Sequence, residues 1–404
     1  MIYDVIVIGG GASGMTAALT ALKGGKSVLI IERMKELGKK LRATGNGKCN
    51  FTNRRMSADF YSGHDLSLCK NALALFDEKA AEAFFRSMGI PSYERDGYVY
   101  PMSEQAAAVT ETFISVLKAY GCSFALDMKV LSIKKEDVFT VNTSYLTYQG
   151  RSVILAAGGS SASYLGSDGS GYELARSLGH KVYEPLPALC GLKCTGKYTS
   201  KWNGVRVKAS VTLFVDGNAA CSDAGEVQLT SYGISGIPVF QVSRHASEGL
   251  YENKPVKARL DLARQFSAEE LETYIMETIN NNKIVKLKDA LRGILNAKLI
   301  EVILSAAGAD PEIPAERAVG SGLISRIAKK IKEFDLQITG TNGFENAQTT
   351  AGGVDTREID PDTMESKLVK GLYITGEMLD VDGICGGYNL QWAFTTGHLA
   401  GKNA

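Results

Sequence analysis

Residues 2–32 read IYDVIVIGGGASGMTAALTALKGGKSVLIIE, and their pattern decides the fold of the chain's first part. Tyr3–Ile8 is a continuous apolar run that stops at glycines, as a strand buried on both faces does. Small and apolar residues then recur at helical spacing over 13–24 and end at Gly24-Gly25. Ser27–Ile31 is a second buried strand, so about thirty residues form a βαβ unit, the least that a parallel pair with a crossover helix needs. The turn between strand and helix is Gly9-Gly10-Gly11-Ala12-Ser13-Gly14, a GxGxxG fingerprint, and Glu32 closes the second strand. Gly9 permits the tight turn, Gly11 lets a pyrophosphate approach the backbone, and Gly14 lets helix and strand pack closely. The helix start offers unpaired N–H groups and a positive dipole end to the phosphates, and Glu32 would accept from ribose hydroxyls.

Two further segments require a long, extended dinucleotide. Ile154–Gly159 (ILAAGG) ends a strand that adds to the same sheet. Gly376-Glu377 ends another, and Gly386-Gly387-Tyr388-Asn389 starts a last helix whose N-terminus suits the electron-rich edge of a reduced flavin. A cofactor touched by both ends of the chain fits FAD. Between these segments, residues 38–54 (GKKLRATGNGKCNFTNR) lack periodicity and read as a ligand-contacting loop.

Helices are expected over 66–88 and 103–120, with Gly121 as a C-cap, and strands over 129–134, 138–143 and 152–156. From about 186 the texture changes to β character at 205–216 and 227–236. A mostly helical stretch over 267–333 opens with a Ser267/Glu270 capping box, and strand character returns near 336. The expected domains are 1–185 with 345–404 for the cofactor, 186–265 with 334–344 for an inserted β domain, and 266–333 for a helical subdomain.

The chain has 404 residues, 45% hydrophobic and 22% charged, with 45 Lys plus Arg against 44 Asp plus Glu. No field of one sign would steer it to nucleic acid or an anionic membrane. The apolar run at the N-terminus lacks a basic leader and breaks at glycine, so neither a signal peptide nor a membrane span is expected, and the expected location is the cytoplasm. Seven scattered cysteines without a CxxC pair, and four histidines without HxxxH spacing, predict no metal site and no redox dithiol.

Six segments together resemble the BaiN/RdsA family of FAD-dependent oxidoreductases, also called YhiN-like or aminoacetone-oxidase-like proteins. They are GGGASGMTAA (9–18), GKKLRATGNGKCNFTN (38–53), GSDGSGYELARSLGH (166–180), GEVQLTSYGISGIPV (225–239), AQTTAGGVDTREIDPDTMESK (347–367) and GLYITGEMLDVDGICGGYNLQWAFTTGHLAG (371–401). The resemblance implies an α/β chain: a glutathione-reductase-type FAD-binding Rossmann domain, an inserted β-barrel-like domain and a small helical domain. It implies non-covalent FAD, with NAD(P)H as electron donor and a small-molecule substrate in a mostly apolar pocket between domains. Lys48 stands where the family often has Arg, which keeps the charge but not the bidentate fork.

The candidate cofactor contacts are Gly9, Gly11, Ala12, Ser13, Gly14, Glu32 and Arg33 at the fingerprint, with Lys40, Thr44, Asn46 and Asn50 in the loop. Val130, Ala157 and Gly158 follow, then Gly376, Glu377, Gly387, Tyr388, Asn389 and Leu390. Tyr388 and Tyr232 are the candidate proton donors, Asp380 and Asp382 are ribityl ligands or turn formers, and Cys385 reads as an inert thiol. The leading reaction is NAD(P)H-dependent reduction of an activated C=C bond in a 3-oxo-4-ene, bile-acid-like substrate. The alternatives are an amine oxidase of the aminoacetone type and a non-catalytic flavin-binding partner protein.

Overall fold

A computed structural model describes residues 1–282 and 284–404; residue 283, within the expected helical stretch, lies outside them. The chain forms two compact units, Met1–Pro187 with Ala347–Ala404, and Ala188–Asn346.

The first unit is built on a seven-stranded sheet. Ile2–Ile8 lies between Val28–Ile31 and Thr147–Leu155, parallel to both, with Ile8 opposite Ile31 and Leu155. Val5, Ile6 and Val7 are fully buried, as a central parallel strand requires. Leu372–Ile374 pairs in parallel with Val153–Leu155, and so brings the C-terminal segment into the sheet. The crossover helix Ala12–Lys23 and the last helix Tyr388–Asn403 pack face to face through small residues. A Cβ on Gly397 would stand 2.3 Å from the Ser13 carbonyl oxygen, and one on Gly401 2.2 Å from that of Ala17. Both glycines are one turn apart, as are Ser13 and Ala17, so the two helix backbones touch over that length.

The second unit is a closed barrel of six antiparallel strands: Leu192–Cys194, Gly233–Ser235, Asn218–Leu229, Arg206–Val215, Val256–Asp261 and Phe334–Thr341, which returns to the first. Helices Ala268–Asn282, Ala297–Ala306 and Leu323–Lys332 contribute Leu271, Ile275, Val302, Ile303 and Ile327 to the same apolar core as the barrel's Val211, Leu213 and Leu260. The helical stretch therefore shares one core with the barrel. Its capping box is formed in both directions: Glu270 N–H donates to Ser267 Oγ at 3.1 Å, and Ser267 N–H to Glu270 Oε2 at 2.7 Å.

Three local expectations change. The helix read over 66–88 is two helices, Ser67–Leu75 and Glu78–Ser87, because Asp77 Oδ1 takes the Ala80 N–H at 2.8 Å and starts a new N-terminus. The loop 38–54 contains a helical turn, Lys39–Ala43, anchored by buried Leu41. Helix Ile237–Tyr251 lies inside the stretch read as β, with Pro238 in its first turn, where its missing N–H costs nothing.

Candidate functional site

The fingerprint turn separates into two glycines that are sterically obligatory and one that faces open space. Gly9 has φ +107°, and a Cβ there would lie 2.3 Å from the Ala156 oxygen. A Cβ on Gly14 would lie 1.9 Å from the Gly9 oxygen, so this position holds the helix against the strand. Gly11 is different: its backbone is extended, and nothing lies within 4 Å of a Cβ built there. Gly11 caps the helix without a side chain, so the first-turn N–H groups at Ala12, Ser13 and Gly14 lack helical partners and are available to an anion.

Glu32 is buried and divided between two backbone donors, Gly10 N–H to Oε2 at 2.7 Å and Met34 N–H to Oε1 at 2.8 Å. Burial raises its carboxyl above the ordinary range, against the lowering effect of those two N–H groups. Each oxygen keeps a second lone pair for a hydroxyl. Beside it opens a shallow cleft lined by Gly9, Glu32, Arg33, Val130, Ala157 and Ser170, among others. Arg33 is ion-paired with Asp168 at its rim.

A second cradle surrounds the start of the last helix. Gly45, Asn46, Gly47 and Cys49 all have positive φ, which coils residues 44–50 tightly. Thr44 closes the coil: its Oγ1 donates to the Leu41 oxygen at 2.7 Å, and its own oxygen accepts from Cys49 N–H at 3.1 Å. The Asn50 Oδ1 is buried without a hydrogen-bond partner. Gly387, at φ +97°, caps the helix, and a Cβ there would meet the Thr52 oxygen at 2.6 Å and Asn50 Oδ1 at 3.0 Å. An unpaired amide oxygen beside the free N–H groups at Tyr388, Asn389 and Leu390 offers one acceptor and several donors, which suits a flavin ring edge. The side chains do other work. Asn389 clamps Gly383, accepting from its N–H at 2.8 Å and donating to its oxygen at 2.7 Å.

Between the two cradles runs a polar bridge that joins distant parts of the sequence. Lys40 Nζ pairs with Glu377 Oε2 at 2.7 Å, and Glu377 Oε1 accepts from Thr350 N–H at 3.0 Å. Thr350 Oγ1 accepts from Ser160 N–H at 2.8 Å, directly after Gly158 and Gly159. Gly376, at φ +65°, lies against Ser13, where a Cβ would be 2.8 Å from its Oγ. Ser160 and Thr350 carried no assigned role in the sequence; the paired threonines before Gly352-Gly353 were the available signal.

The two candidate proton donors fare differently. Tyr388 is buried, its hydroxyl donates to the Arg55 oxygen at 3.2 Å, and burial raises its phenol above the ordinary value. Tyr232 belongs to the second unit and is half-buried before strand Gly233–Ser235. Asp380 and Asp382 are both buried, and Asp382 pairs with Ser62 in a short antiparallel bridge. The thiols of Cys49, Cys69 and Cys122 are pushed up to about 12 by burial, and those of Cys190, Cys194 and Cys221 to about 11, so none is a thiolate near neutral pH. Among the described residues no group of three or more His, Cys, Asp or Glu could hold a metal ion, and no helix is long and apolar enough to cross a membrane.

Residues 3–403 match the model of the HI0933-like protein Rossmann domain. The chain is 42% identical over 401 residues to the 3-dehydro-bile acid delta(4,6)-reductase of Clostridium scindens, covering 98% of each. It is 30% identical over 400 residues to the ribosomal RNA dihydrouridine synthase of Escherichia coli, covering 98% of this chain and 96% of that one. The 3-ketosteroid delta1-dehydrogenase of Sterolibacterium denitrificans shares the fold, with a TM-score of 0.53 at 14% identity over 99% of this chain and 98% of that one. With the dinucleotide turn, the second cradle and an end-to-end match in agreement, the chain is a flavin-dependent oxidoreductase belonging to the HI0933-like Rossmann family.

Proposed function

We propose that this protein binds FAD non-covalently and uses NAD(P)H to reduce a carbon–carbon double bond conjugated to a carbonyl, in a 3-oxo-4-ene steroid of the bile-acid type. The observation that carries the reading is the full-length similarity to a bile-acid delta(4,6)-reductase at 42% identity. Bound flavin would supply the two-electron hydride chemistry between the nicotinamide and the enone. The chain's residues hold and orient that cofactor. The Gly11 opening and the helix start beyond it receive the pyrophosphate, Glu32 the ribose, and the Gly387 helix start with Asn50 the ring edge.

The relatives named for ribosomal RNA favour a second substrate class, since dihydrouridine is uridine reduced at a double bond conjugated to a carbonyl. The charge arrangement supports the small molecule. The most basic segment, residues 33–55, holds eight Lys and Arg. Five of them are ion-paired: Arg33 with Asp168, Lys40 with Glu377, Arg42 with Glu111, Lys48 with Glu104 and Arg54 with Glu82. Such pairing leaves little of the stripe that an RNA backbone needs.

Anaerobic mixing tests the proposal. NADH or NADPH is expected to bleach the oxidised-flavin band, and a 3-oxo-4-ene steroid to restore it. Bleaching by an aminoketone without nicotinamide overturns the reading in favour of an amine oxidase. A flavin inert to both donors leaves a binding protein.

A further inference from the structure

Reducing an enone consumes a proton as well as a hydride. The candidate donor on the cofactor unit, Tyr388, is buried with its hydroxyl engaged. The segment that joins Gly376 to Gly387 carries a different acid–base pair. Asp380 is fully buried there, and its Oδ2 accepts twice from one residue: from His64 N–H at 2.8 Å and from His64 Nδ1 at 2.7 Å. A carboxylate only accepts, so Nδ1 carries its hydrogen and the tautomer is set. The imidazole also stacks on Tyr183, with ring centroids 3.5 Å apart and planes 4° off parallel. Tyr183 is itself tied down, since its hydroxyl meets Asp355 Oδ2 at 3.3 Å and Arg357 Nη2 at 2.6 Å, while Lys181 Nζ lies 4.2 Å from the ring centre. A Cβ on Gly63 would stand 2.2 Å from the Asp380 oxygen, so the two segments are pressed together where the pair forms.

One edge and one face of His64 are thus fixed, yet 51% of its side chain is open. The remaining histidines differ. Both nitrogens of His180 are bonded, to Glu358 and Ser366, and His398 is packed on Phe76. His245 belongs to the second unit. The charged groups around His64 are Asp65, Asp380, Asp355, Arg357 and Lys181, of which Asp380 alone bonds its ring.

The geometry points to His64 as the acid that protonates the α-carbon, with Asp380 and Tyr183 as its positioning residues. This rests on the reductase reading above. Hydride from the reduced flavin enters at the β-carbon, and the π pair shifts toward the carbonyl as an enolate. The Nε2–H bond of the imidazolium then breaks and its proton joins the α-carbon. The alkene gains two electrons, the flavin loses two, and His64 is left neutral with Nδ1–H still on Asp380. Solvent returns the proton through the open side of the ring.

The test uses the full chain loaded with FAD, reduced anaerobically with dithionite and mixed with a 3-oxo-4-ene steroid. His64→Gln and His64→Ala are expected to keep their flavin but reoxidise on the order of 10²-fold more slowly, the usual share of a positioned acid. Added imidazole should restore His64→Ala, which a merely structural role would not allow. A readout apart from turnover is ¹⁵N NMR of the four histidines, where the resonance lost in His64→Gln should show a protonated Nδ1. Reoxidation of His64→Gln at the wild-type rate, failure of imidazole rescue, or a bare Nδ1 overturns the assignment. A wild-type protein whose reduced flavin ignores the steroid instead overturns the reductase reading, and with it the proton's destination.

Discussion

The three fingerprint glycines should respond to an added side chain in opposite ways. At Gly11 the backbone is extended, and a new side chain meets nothing within 4 Å, so Gly11→Val fits the folded protein without strain. Its effect on the apoprotein should be small and even favourable, by roughly 0.4–1 kcal/mol, because the unfolded chain loses freedom. The valine fills the space through which a pyrophosphate would reach the helix N–H groups, so flavin should be lost. At Gly14 even one methyl group falls 1.9 Å from the Gly9 oxygen, a backbone atom that cannot swing aside. Gly14→Ala should therefore cost at least the roughly 1–3 kcal/mol of an overpacked core. Gly9→Ala adds a positive-φ penalty to a 2.3 Å collision with the Ala156 oxygen and should be worse. Thermal unfolding with and without FAD separates the cases. Wild type should gain about 2.7 kcal/mol at a hundredfold excess over its dissociation constant, and Gly11→Val nothing, while the Gly11→Val apoprotein unfolds at or slightly above the wild-type apoprotein. A Gly11→Val protein that keeps its full complement of flavin, or a Gly14→Ala apoprotein as stable as wild type, would refute the reasoning.

Further outcomes follow from single contacts. Asn389→Ala removes both hydrogen bonds to Gly383 and should cost about 1–3 kcal/mol in denaturant unfolding, with weaker flavin binding because the Gly387 helix start loses its brace. Burial, with Lys402 and Lys23 adding repulsion, lowers the His398 imidazole to about 4. The unfolded chain takes that proton near 6.5 and the native one refuses it until about 4, so stability falls as pH drops through this window, by about 2 kcal/mol at pH 5. His398→Gln should flatten that share of the acid limb in urea titrations from pH 7.5 to 5. Limited proteolysis should cut first within 186–204 or 340–347, where the chain passes between its two compact units, and first cleavage within 150–160 would contradict the strand Thr147–Leu155.

The sequence by itself determined the features whose causes are local. The strand, fingerprint and helix of residues 2–32 were legible because a continuous apolar run, a glycine turn and a small-residue helix each follow from neighbours in the chain. The Ser267/Glu270 box was legible for the same reason: its partners are three residues apart. Even there one distinction was hidden, since the letters GxGxxG do not say that Gly9 and Gly14 meet backbone while Gly11 meets none. Tertiary structure decided what depends on distant segments arriving together. Gly397 and Gly401 read as ordinary helix residues until Ser13 and Ala17 lie against them. Asp380 read as a ribityl ligand or a turn former, and only the fold brought His64 to it across 316 residues. Lys40, Glu377, Thr350 and Ser160 share no sequence neighbourhood, yet they form one bridge. The helix Ile237–Tyr251 was given no element of its own within the expected β domain, and the closed barrel is what its buried face covers. Contacts of that kind rest on chain closure over hundreds of residues, and no window of local periodicity contains them.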